Sequence, residues 1–157
     1  MNGQRGWTLV ELSIVMLILG ILAAVGLNQY VDLKRKATES ALRGELASLR
    51  GAVAIYYSDM EGQYPTDLNI AFAPGSKYIN GIPSGTIPDV SDHDNPGHET
   101  AQAAVQPYDG VPAQEADFQS EGSLLWGYVN EGTSTSYGRV FANCRHRDTA
   151  GEYWTNR

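Results

Sequence analysis

Gly6-Trp7-Thr8-Leu9-Val10-Glu11-Leu12, followed by an uncharged run to Leu27, decides how this chain is built. Leu12–Leu27 is 16 residues, and counting from Leu9 across Glu11 gives 19. At 1.5 Å per residue a helix of that length reaches about 28 Å, just enough to cross a bilayer. A carboxylate beside such a core is costly in lipid, by roughly 2.5–3.5 kcal/mol on centre-of-bilayer scales. Glu11 therefore calls for a buried positive partner, and that requirement points to assembly with other chains. Two other readings of the run stand beside this one. A secretory signal peptide would use Ala23-Ala24-Val25-Gly26 as its cut site, although the basic start is Arg5 alone. A buried core helix fits less well, because the run is too long and too evenly apolar.

The helical pattern continues past the apolar run. Leu42, Leu46, Leu49, Val53 and Tyr56/Tyr57 step by four, three, four and three or four, which is one helix face. Lys34, Arg35, Lys36, Glu39, Arg43, Glu45 and Arg50 between them read as its solvated face. The first proline is Pro65, and Glu61-Gly62 supplies a natural stop. One helix is expected from near Trp7 to near Met60, about 80 Å long. A helix this long cannot be covered by the residues after it. It needs lipid, sister helices, or each in turn.

These residues resemble the type IV pilin superfamily, including the pseudopilins of type II secretion systems. The resemblance rests on Gly6-Trp7-Thr8-Leu9-Val10-Glu11-Leu12 and Ile18-Leu19-Gly20-Ile21-Leu22-Ala23-Ala24, and is strong over residues 5–36. It implies a leader, residues 1–6, cut between Gly6 and Trp7 by a prepilin peptidase that also methylates the new amine of Trp7. It implies that Glu11 neutralises the N-terminal amine of the neighbouring subunit. It further implies a single-pass protein of the inner membrane, held in lipid before assembly, with its head exported to the periplasm. An inner-membrane assembly platform would then build it into a homo- or hetero-oligomeric fibre, in the periplasm or at the cell surface. Asp59-Met60-Glu61-Gly62-Gln63-Tyr64-Pro65 resembles the helix exit of pseudopilins and many pilins. Three features depart from the pattern: Trp7 where Phe is usual, Asn28 where many pilins carry Pro, and a single cysteine, Cys144, where major pilins often have a disulfide. The last leans towards a pseudopilin or a disulfide-free pilin. Lys34, Arg35 and Lys36 after the span outweigh Arg5 before it, which by itself favours a cytoplasmic body. The resemblance implies the opposite orientation.

The expected architecture is α+β: a long N-terminal helix, 7–60, packed on a small antiparallel β-sheet head. The span covers about 9–27, the amphipathic half 28–60, and the head 61–157. Pro65, Pro74, Pro83, Pro88, Pro96, Pro107 and Pro112 exclude a long helix from the head. Short strands and ordered loops are expected there. Leu124–Val129 and Ser136–Phe141, joined by Asn130–Thr135, read as an antiparallel hairpin on the C-terminal half of the long helix. Asp148-Thr149-Ala150-Gly151 reads as a turn.

Residues 59–157 hold 14 acidic and five basic side chains, a net of −9, which argues against nucleic acid as a partner. No nucleophile elbow, P-loop or dinucleotide fingerprint occurs, so an enzyme is not expected. Asp89, Asp92, Asp94 and Asn95, with Glu99 nearby, supply the hard oxygens that Ca²⁺ takes, and a solvated acidic loop is the alternative. Cys144 reads as a small buried hydrophobe. A rival function is a signal-anchored envelope protein whose head binds a ligand by itself.

Overall fold

The computed structural model describes residues 7–88, 102–111, 124–144 and 147–156, with Asn28 and Gln102 described by their backbone alone. Helix α1, Leu9–Asp59, is 51 residues long. Helix α2 is one turn, Leu68–Ala71. Strands β1 (Gln102–Tyr108), β2 (Leu124–Val129) and β3 (Val140–Ala142) form a three-stranded sheet in the order β1-β2-β3. A 3₁₀ turn, Trp154–Asn156, follows.

By its contacts the chain divides into two units, 1–34 and 35–157. In the first, the apolar side chains of Leu9 through Leu33 are exposed all round the helix. In the second, Leu42, Leu46, Leu49, Ala52 and Val53 of α1 are buried with Leu125, Trp126, Tyr128, Val140, Ala142, Phe72, Ile87, Cys144 and Trp154 in one core. That is the helix face expected from the three-and-four spacing. Cys144 is buried, as expected of it.

Of the face expected to be solvated, Lys34 and Lys36 are exposed, Arg35, Arg43, Glu45 and Arg50 are half-buried, and Glu39 is buried. Glu39 is 3% exposed and sits among partners from the far end of the chain. Arg50 donates through Nε and Nη2 to the Val140 carbonyl at 2.9 and 2.8 Å, and Glu45 keeps one carboxylate oxygen buried. Many of the outward positions on this half of α1 are small: Ala37, Ser40, Ala41, Gly44, Ala47, Ser48, Gly51 and Ala54 are exposed, along with Lys36, Ile55 and Tyr57. Long charged side chains bury their stems and reach polar groups at the core edge, which small ones cannot do.

Burial raises the Glu45 pKa above the ordinary carboxylate value. The folded chain therefore holds this proton more tightly than the unfolded one. Its contribution is fully present below the unfolded value, about pH 4.3, and is lost as pH rises through the folded value. Glu45→Gln is expected to raise Tm above that range and leave it unchanged below; equal melting of the two proteins from pH 4 to 8 contradicts this.

The end of α1 carries out what Glu61-Gly62 suggested. Both adopt positive φ, 53° and 87°, and the Gly62 N–H closes on the Tyr57 carbonyl at 2.9 Å, a Schellman-type end. Tyr64 then stacks against Tyr57, with centroids 4.4 Å apart, and edge-on to Tyr137 at 5.0 Å. Pro65 offers its carbonyl to the buried Tyr128 hydroxyl at 2.7 Å. Burial pushes that phenol well above its usual pKa, so it stays a donor.

Strand β2 is buried on both faces, which explains its unbroken Leu-Leu-Trp-Gly-Tyr-Val composition. Leu125, Trp126 and Tyr128 join the main core; Val129 clusters with Tyr108 and Phe141. The sheet is mixed rather than wholly antiparallel, because β1 pairs with β2 in parallel while β2 pairs with β3 antiparallel. β1 lay in the stretch read as strands and loops. Its Pro107 is tolerated because β1 is an edge strand.

The second hairpin strand is shorter than Ser136–Phe141 and begins at Val140. Ser134, Tyr137 and Arg139 close successive turns onto Glu131, Ser134 and Ser136. Gly138, at φ 84°, leaves the extended region altogether. A Cβ there would stand inside contact distance of the Tyr64 ring. Gly138→Ala is expected to cost about 2–3 kcal/mol of stability by urea unfolding; a loss under a tenth of that contradicts the packing described.

Candidate assembly site at the helix N-terminus

The first turn of α1 closes on itself. Thr8 precedes the helix and its carbonyl accepts the first helical bond, from Leu12 N at 3.2 Å. The Thr8 hydroxyl accepts from Glu11 N at 3.2 Å. In return Glu11 Oε2 accepts from Thr8 N at 3.0 Å and from Thr8 Oγ1 at 2.9 Å. This is a reciprocal capping box, in which the N-cap hydroxyl and the carboxylate three residues on satisfy backbone N–H groups that the helix leaves unbonded. The negative charge also lies at the positive end of the helix dipole, a favourable placement. Thr8 was not singled out from the sequence, although the Thr-x-x-Glu spacing before an apolar run is the signature of this box.

Of the residues expected at the site, Trp7 and Glu11 are described and both are exposed. Trp7 is 77% exposed beside Thr8, and Tyr30 is also exposed. Gly6 and the rest of the leader lie outside the described residues, as do Asp89, Asp92, Asp94, Asn95 and Glu99. Among the described residues no group of three His, Cys, Asp or Glu could hold a metal ion.

Around the box every apolar side chain is turned outward. Among the described residues, α1 is a helix long and apolar enough to cross a membrane, with none of its apolar stretch buried. Such a surface is unstable in water at about 25 cal/mol per Å², so this segment demands lipid or other helices around it. A carboxylate whose nearest donors belong to its own cap can wait in such surroundings, yet it remains an uncompensated charge.

A second polar cluster ties the end of the chain to α1. Arg43 Nη2 bonds both Glu39 Oε1 and Asp148 Oδ2, the latter at 2.7 Å. Glu39 Oε2 accepts from Thr149 N at 3.2 Å and from Thr149 Oγ1 at 2.5 Å. Asp148 Oδ1 holds Ala150 N and Glu152 N, both at 2.9 Å, which builds the turn expected at Asp148–Gly151. The Arg43–Asp148 and Glu39–Thr149 bonds join positions 105 and 110 residues apart, so no local pattern announces them.

The model of the prokaryotic N-terminal methylation motif matches residues 1–27. Fimbrial protein EcpC of Eikenella corrodens is 40% identical over 82 residues, 50% of this chain and 53% of that protein. The type IV major alpha-pilin of Moraxella bovis is 45% identical over 65 residues, 41% of this chain and 40% of the pilin. The type II secretion system core protein G of Klebsiella pneumoniae is 38% identical over 66 residues, 42% of this chain and 46% of that protein. The chain thus spans about half or less of the length of these relatives. No solved structure matches. Residues 1–27 therefore carry the prokaryotic N-terminal methylation motif, and up to half of the chain is similar to type IV pilins and to a type II secretion core protein.

Proposed function

We propose that this chain is a structural subunit of a type IV pilus or of a type II secretion pseudopilus. In this reading a prepilin peptidase cuts between Gly6 and Trp7 and methylates the Trp7 amine. The product waits in the inner membrane with its head in the periplasm, and an assembly platform builds it into a fibre through the N-terminal helix. The observation that carries the reading is Glu11, a carboxylate capped by Thr8 at the start of a helix whose apolar side chains from Leu9 through Leu33 are exposed.

The chemistry follows from that placement. Cutting after Gly6 creates an ammonium four residues before Glu11. In a low-dielectric bundle an isolated carboxylate and an isolated ammonium are both costly, and each is the other's remedy. Within one helix the Thr8 cap already engages the carboxylate, so the cation comes from the next subunit. Each contact then leaves one amine and one carboxylate at the growing ends, which makes the assembly heterologous and open rather than closed.

The test replaces residues 1–33 with an unrelated single-pass anchor. The fibre reading predicts a membrane-bound head and no fibres by electron microscopy. Full activity of the fusion in the host's secretion or attachment assay supports instead an anchored head that works alone.

A further inference from the structure

Among the described strands, β1 pairs with β2 on one side and stands at the edge of the sheet on the other. From Val105 to Tyr108 the two strands run in regular register, so successive residues turn their backbone groups towards β2 and away from it. Val105 and Pro107 turn away. Pro107 has no N–H to give, and its carbonyl accepts from Gln106 Nε2 at 3.4 Å. A shift of register between Gln102 and Val105 breaks the row before it. Val105 is therefore a complete rung on this edge, with a donor and an acceptor side by side.

One side chain closes that rung. Asn69 Nδ2 donates to the Val105 carbonyl at 3.0 Å, and Asn69 Oδ1 accepts from Val105 N at 3.0 Å. The side-chain amide copies the two bonds that a residue of a neighbouring strand would make. Its placement comes from α2. Leu68 and Phe72 are buried in the main core, and Asp67 caps the turn by accepting from Asn69 N at 2.7 Å. Asn69 is held between these anchors, exposed to solvent yet bonded to the strand.

We propose that the outer edge of β1 is a strand-pairing surface for β1 of a second copy, and that Asn69 keeps it closed. Two copies brought together antiparallel would let each Val105 exchange both of its bonds with the other across a two-fold axis. An open edge is a template for pairing, most of all where many copies crowd one surface. Gln102–Tyr108 carries no charged side chain to oppose it. Such a contact is isologous, so it closes pairs and cannot propagate a fibre. The inference stands whether or not the chain builds fibres.

The experiment follows hydrogen exchange of the Val105 amide by NMR, in the full chain in detergent, at low and high protein-to-detergent ratio. In the wild type this amide is expected to be equally protected at both. In Asn69→Ala it is expected to exchange about threefold to tenfold faster when dilute, the share of one backbone hydrogen bond. Protection is then expected to return on concentration, as pairs form. Pro107→Val added to Asn69→Ala is expected to strengthen the pairs. Pro107→Val alone, with Asn69 in place, is expected to behave as the wild type. The Val129 and Asn143 amides, bonded to the Arg139 and Leu125 carbonyls, report the fold. Equal Val105 exchange in wild type and Asn69→Ala, fast exchange of the variant at every concentration, or concentration-dependent protection in Pro107→Val alone each overturn the inference. Loss of protection at Val129 and Asn143 in Asn69→Ala also overturns it, because Asn69 would then support the fold rather than guard the edge.

Discussion

Glu11→Ala is expected to enter the membrane at least as well as the wild type and to reduce fibre yield about a hundredfold or more. Removing the carboxylate removes a polar group from the edge of the span, so insertion is eased. In the bundle the same change strands the neighbour's amine without its counter-charge. Breaking one partner of a buried ion pair costs about 3–5 kcal/mol, and each 1.4 kcal/mol is tenfold in the association equilibrium. Two companion variants separate charge from capping. Glu11→Gln keeps an oxygen for Thr8 but no charge, and is expected to fail nearly as badly. Thr8→Val leaves the carboxylate without the hydroxyl of its cap. It is expected to cost about 1 kcal/mol in helix start and to reduce yield far less than the loss of Glu11. The measurements are carbonate-resistant membrane protein for insertion and sheared fibre mass for assembly. Normal fibres from Glu11→Ala contradict the role given to the carboxylate.

Arg43→Met is expected to destabilise the head by about 2–3 kcal/mol while leaving the N-terminal span untouched. The Glu39 and Asp148 side chains are 4% and 0% exposed, and Arg43 is the cation that meets both. Removing it leaves two carboxylates in the interior. They keep the Thr149, Ala150 and Glu152 donors but lose the guanidinium that bridges them. Full burial would place the loss at about 3–5 kcal/mol; the Arg43 side chain is 41% exposed, and solvent screening reduces the figure. Against a typical 5–15 kcal/mol for a domain this is a large share. Urea unfolding of the full chain in detergent, followed by Trp126 and Trp154 fluorescence, reads it. Asp148→Asn in the Arg43→Met background is expected to cost less than in the wild type, because the Arg43 charge that it meets has already gone. Fully additive losses would show that the three side chains are not one unit.

Long-range polar pairing is also where the sequence was hardest to read. The periodicity of Leu42, Leu46, Leu49 and Val53 marked the buried face of α1, because an apolar face repeats every three or four residues whatever covers it. Glu61-Gly62 marked the helix end through backbone geometry, and Leu124–Val129 announced a strand through composition. Glu39 and Arg43 looked like any solvated pair on a helix, since nothing near them hints that Asp148 and Thr149 arrive from the far end of the chain. Strand β1 was obscured by Gln102, Gln106 and Pro107, residues an edge strand tolerates and a central one does not. Its parallel pairing with β2 was invisible for the same reason: register between segments is a tertiary matter. At the assembly site Glu11 stood out because a charge beside an apolar run is costly. Thr8 did not, because a hydroxyl there costs little until its hydrogen bonds are drawn.

The measurement that bears most directly on the account is the intact mass and N-terminal sequence of the protein extracted from its native membranes. A chain that begins at a methylated Trp7, lacking residues 1–6, is the predicted result. An uncut chain beginning at Met1, or one beginning near Gly26, would contradict it: the first keeps the leader that processing must remove, and the second loses both Glu11 and the apolar stretch that follows it.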